Sequence, residues 1–184
     1  MRYLETRPST RVVAAITVAA LVATVAVWSL FTEPERKMSA RGYGIVDYEL
    51  AFTAERANDI LHAWGAEAEP AARRSLLVDF AFMPSYGLLF AGITLLIARL
   101  QGGKLRRAGL ALTPLALVAA LCDALENLML LSMLGAAGRV AVAPPLVAGV
   151  AATIKFALLA VLIVYWLAAG VAWAAQRLRG AGMA

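Results

Sequence analysis

Long apolar runs alternate with short charged ones along the chain, and four of the runs, near 12–31, 75–98, 108–134 and 146–174, are almost free of charge. A helix crosses a hydrocarbon core about 30 Å thick with roughly 20 apolar residues. The pattern therefore predicts an all-α integral membrane protein, a four-transmembrane-helix bundle forming a single membrane domain over 1–184. The stretch between the first two runs, about 32–74, is too polar to span and too long for a plain turn. From Thr53 it follows a helical period: Thr53 caps, Glu55 sits at the positive end of the helix dipole, and Ala57, Ile60, Leu61 and Trp64 recur at i, i+3, i+4 and i+7. Gly65 is the expected stop and Pro70 the opening of the next helix. An extra amphipathic helix in a long outer loop follows, with Trp64 at the headgroup level.

Composition sharpens this picture. The sequence is 62% hydrophobic, against about 45–50% in soluble domains, and its mean hydropathy is +0.76. The net charge of +5 is topological rather than a nucleic-acid footprint, because the bases crowd the ends of the apolar runs. Arg2, Arg7 and Arg11 precede the first, Arg99, Lys104, Arg106 and Arg107 separate the second from the third, and Arg177 and Arg179 follow the fourth. By the positive-inside rule all three clusters share one side, which predicts a multi-pass plasma (inner) membrane protein with N- and C-termini cytoplasmic and residues 32–74 outside. The first run exceeds the roughly 7–15 apolar residues of a signal peptide and lacks a clear small-residue cleavage site, so it reads as a retained anchor. Cys122 is the only cysteine, which leaves no internal disulfide and no cysteine-based metal cluster.

Candidate chemistry lies inside the spans. A charge at a helix centre costs about 2.5–3.5 kcal/mol on insertion scales, so it faces a partner or a wet cavity. Asp79 belongs to the second span, Asp123 and Glu126 to the third and Lys155 to the fourth, with Tyr86 and Asn127 as neutral company. Asp123, Glu126 and Asn127 stand at i, i+3 and i+4 and share one helix face; Asp79, Met83 and Tyr86 do likewise, beside a Pro84 that frees a carbonyl and can kink the helix. At about 1.5 Å per residue Asp123 lies roughly 24 Å from the level of Arg107, and Lys155 roughly 15 Å below Pro145, too deep to snorkel. Lys155 leans outward and Asp123 inward, so their heads converge, with Glu126 as the rival partner.

The ligand-binding candidates are thus Asp79, Tyr86, Asp123, Glu126, Asn127 and Lys155, and the candidate proton carriers for catalysis are Asp123 and Glu126. No metal site is expected: His62, Glu55 and Asp59 form the polar face of a surface helix. The cofactor is unknown. Besides the lipid bilayer, the expected partner is a small amphiphilic ligand bound in the outer half; the alternatives are interior glue between helices, an intramembrane isomerase or lipid-modifying enzyme, and an accessory subunit of a larger complex. Span count and the placement of Asp123 and Glu126 within the bundle resemble the sterol-isomerase-like membrane proteins, a likeness that implies an acid moving a proton. Small residues at Ala15, Ala19 and Ala23, and at Ala148 and Ala152, offer close-packing faces toward a membrane-protein partner or a second copy.

Overall fold

A computed structural model describes residues 2–181; the side chains of Arg2 and Arg179, both counted in the basic clusters, lie outside what it describes. Every regular element among these residues is an α-helix: α1 (Arg2–Thr6), α2 (Thr10–Trp28), α3 (Thr32–Ser39), α4 (Ile45–Glu49), α5 (Ala54–Leu100), α6 (Gly103–Leu112), α7 (Leu115–Met133) and α8 (Ala143–Ala181). Four stretches, Thr10–Ser39, Ala54–Leu100, Gly103–Met133 and Ala143–Leu178, are long and apolar enough to cross a membrane. These four candidate spans suggest a multi-pass membrane protein.

Local chemistry sets the boundaries. The Ser9 hydroxyl accepts the Val12 amide at the start of α2, and Thr53 accepts the Arg56 amide at 3.1 Å at the start of α5, each satisfying an otherwise unpaired first-turn donor. As the sequence predicts, the helix begun at Thr53 breaks at Gly65. The glycine takes φ 52° and ψ −161°, a conformation open to glycine, and the helix resumes beyond it. The backbone stays helical through Pro84, so the break in α5 is the glycine and not the proline. The third apolar run is divided between α6 and α7 by a turn at Thr113–Pro114. Pro144 and Pro145 fall in the first turn of α8, where a missing N–H costs nothing.

The elements pack around α5, with α2 on one side and α7 on another, while α8 pairs chiefly with α7. Glycine lets the backbones approach. A Cβ at Gly92 would collide with Thr17 of α2, and one at Gly87 would come within 3.2 Å of the Ala120 Cβ of α7. The buried face of α2 is Val13, Thr17 and Ala20, so the Ala15, Ala19 and Ala23 stripe points away from the bundle; Ala148 and Ala152 are fully buried.

The segment before α5 folds onto the bundle as a second core. Met38, Tyr48, Ile60, Leu61, Trp64, Leu76, Leu130 and Met133 form one buried cluster. Trp64 is fully buried, which corrects its expected headgroup level: its indole donates to the Tyr43 carbonyl at 2.8 Å and its ring meets Tyr48 edge-on at 5.0 Å. Tyr48 in turn donates to the Leu130 carbonyl of α7 at 3.1 Å. At the opposite end Arg99 clasps the N-terminal turn, donating to the carbonyls of Leu4 and Pro8 and to the Thr10 hydroxyl.

Candidate functional site

Helical spacing carries Asp123, Glu126 and Asn127 inward from α7, and all three are buried. Opposite them, α8 projects Lys155, also buried. Its ammonium lies 2.9 Å from Asp123 Oδ1, 2.8 Å from Glu126 Oε2 and 3.5 Å from Glu49 Oε2. The sequence left Asp123 and Glu126 as rival partners for Lys155; the structure sets the ammonium between both. Tyr86 of α5 donates to the other Asp123 oxygen at 2.8 Å. Asn127 donates to Asp79 at 2.8 Å and to the Leu76 carbonyl at 3.2 Å. The six sequence candidates therefore come together as two neighbouring bonded sets, Asp79–Asn127 and Tyr86–Asp123–Lys155–Glu126, shared by α5, α7 and α8. His62, Glu55 and Asp59 lie apart from it and are exposed.

Glu49 is the member that the sequence did not reveal. It ends α4, a helix of five residues, too short to display a period, and only the docking of that helix brings its carboxyl to Lys155. Burial pushes the Glu49 carboxyl above the usual carboxylate range, and the Lys155 ammonium pulls in the opposite direction without cancelling the effect. Three carboxyl groups, Glu49, Asp123 and Glu126, thus gather about one ammonium, and a fourth, Asp79, is held nearby by Asn127.

A cavity of about 690 Å³ adjoins the cluster. Glu49, Asp79, Tyr86, Asp123 and Lys155 form its polar end, while Glu126 and Asn127 lie behind them. Its remaining wall is largely aromatic and aliphatic: Trp28 and Phe31 on one side, Phe82 and Phe90 of α5, and Phe156 and Leu159 of α8. Phe82 is the hub of the aromatic wall, 5.7 Å from Trp28, 5.4 Å from Phe31 and 5.3 Å from Tyr86 between ring centroids. Phe82, Tyr86 and Phe90 stand at i, i+4 and i+8, a period that was present in the sequence beside the one carrying Asp79. Farther along, Phe90 packs at a tilt against Trp166, 4.8 Å between ring centroids, and the Trp166 indole donates to Thr94 at 2.9 Å, joining α5 to α8. At the cavity's edge Trp28 of α2 and Phe156 of α8 are 64% and 41% exposed, so its rim is apolar.

Among the described residues no three His, Cys, Asp or Glu side chains group as a metal site. Lys155 stands where a cation among those carboxylates would stand. The arrangement can hold a polar group against acceptors while an apolar chain lies along the aromatic wall, and it can pass a proton among neighbouring carboxyls. Comparison of the chain with protein-family models, curated proteins and solved structures finds no match.

Proposed function

We propose that this is an inner-membrane protein that binds a small amphiphile, its head at the Asp79–Asp123–Lys155 cluster and its chain along Phe82, Phe90 and Phe156. One observation carries the proposal: the buried ion cluster borders a cavity. Helix glue alone has no need of an adjoining void, since interiors pack to near crystal density, whereas about 690 Å³ falls in the roughly 300–1,000 Å³ range of small-molecule sites. The apolar rim at Trp28 and Phe156 supports entry from hydrocarbon. In this proposal both termini are cytoplasmic, segment 32–74 faces outward, and its first part, through Thr32, Glu35, Ile45, Val46 and Glu49, closes the pocket from outside.

Native mass spectrometry after mild extraction tests it. The wild type should retain a co-purified amphiphile, and Thr24→Trp, which fills the cavity from α2, should lose it while keeping its thermal unfolding temperature. An empty wild type, or equal retention by the filled variant, would sink the proposal. A catalytic alternative, an isomerase or lipid-modifying enzyme, draws support from Asp123, which touches both the cavity and the Tyr86 hydroxyl; it requires that the retained molecule be converted and that Asp123→Asn stop the conversion.

A further inference from the structure

We infer that the amphiphile carries a cationic, ammonium-type head. This rests on the binding proposal above and adds the charge of the ligand. Among the described residues Lys155 is the only basic side chain lining the cavity, against the carboxyls of Glu35, Glu49, Asp79 and Asp123. An ammonium has three protons to give, and those of Lys155 face Asp123, Glu126 and Glu49. Two further donors at this end are committed as well: the Tyr86 hydroxyl to Asp123 and the Asn127 amide to Asp79 and Leu76. An anionic head would meet these carboxyls with only neutral donors, such as the hydroxyls of Thr24, Thr32 and Ser75, left to donate to it, a costly burial. A cationic head meets the opposite situation.

Asp79 is the acceptor best placed for it. It is only partly buried, it lines the cavity, and its bond to Asn127 uses one oxygen. Phe82 and Tyr86 stand one and two turns farther along the same face of α5, and Trp28 and Phe31 close the aromatic group from the other side. An aromatic surround with a carboxylate at its end suits an alkylammonium, through ring faces as well as charge. The cavity volume matches a single chain with a compact head.

A tail-matched series decides the matter: dodecyltrimethylammonium, dodecanol and dodecanoate, offered to the full chain in zwitterionic nanodiscs at neutral pH, with uptake by empty discs subtracted. The ammonium compound should bind at least tenfold more tightly than dodecanoate and more tightly than dodecanol. Asp79→Asn should reduce that preference to about threefold or less while dodecanol binding persists. Equal binding of all three, or preference for dodecanoate, would overturn the head assignment and leave the cavity proposal standing. Binding of none above empty discs would overturn both. The wild-type ranking alone suffices if Asp79→Asn does not fold.

Discussion

Lys155 concentrates the energetic risk of the molecule. Removing one partner of a buried ion pair costs about 3–5 kcal/mol, because the remaining charge is stranded. Lys155→Met strands three carboxyls on two elements, α4 and α7, so it should lower thermal stability in detergent more than Asp123→Asn or Glu126→Gln alone. Combining Lys155→Met with both neutralised acids should recover part of the loss, and strictly additive losses would refute a shared ion cluster. Glu49 gives a pH test. Its carboxyl holds a proton more tightly in the folded chain than in the unfolded one, so its contribution to stability declines as pH rises above the ordinary carboxylate value near 4.5. Thermal unfolding of Glu49→Gln beside wild type, followed from pH 4 upward, should therefore move in favour of the variant. A gap between the two that stays constant with pH would reject the assignment. The spacing of Asp123, Glu126 and Asn127 was readable because a helix turns by a fixed amount per residue, and the lone lysine at depth demanded a counter-charge. Glu49 was not readable, since its role depends on where a short helix docks.

Glycine distinguishes the elements that touch from those that face outward. Gly92 lies against Thr17 at the α2–α5 contact, whereas a Cβ at Gly170 of α8 would meet nothing. Gly92→Ala should cost about 1–3 kcal/mol by overpacking, and Gly170→Ala should gain about 0.5–1 kcal/mol through helix propensity; paired thermal melts check both. The four apolar stretches were legible because hydrocarbon thickness leaves a mark in run length. The break at Pro114 was hidden within an unbroken apolar run. Trp64 shows a further limit: an aromatic on an amphipathic face reads alike whether it meets lipid or protein, and here α3 and α4 supply a protein surface that hydropathy does not reveal.

At the scale of the whole molecule, the arrangement of charge gives a direction that can be measured. With the basic clusters inside, a periplasm-active reporter inserted near Glu67 should be active and the same reporter at the C-terminus silent; the reverse pattern would overturn the orientation. The polar cluster, the cavity and the folded outer segment then lie toward one leaflet, and the Arg99 clasp on the N-terminal turn lies toward the other. If the proposed amphiphile enters past the greasy edge formed by Trp28 and Phe156, that edge changes what an affinity means. A guest crossing that edge has already left water, so the governing concentration is its mole fraction among lipids. Adding lipid at fixed protein and guest should dilute the guest and weaken apparent binding, whereas adding buffer should leave occupancy almost unchanged.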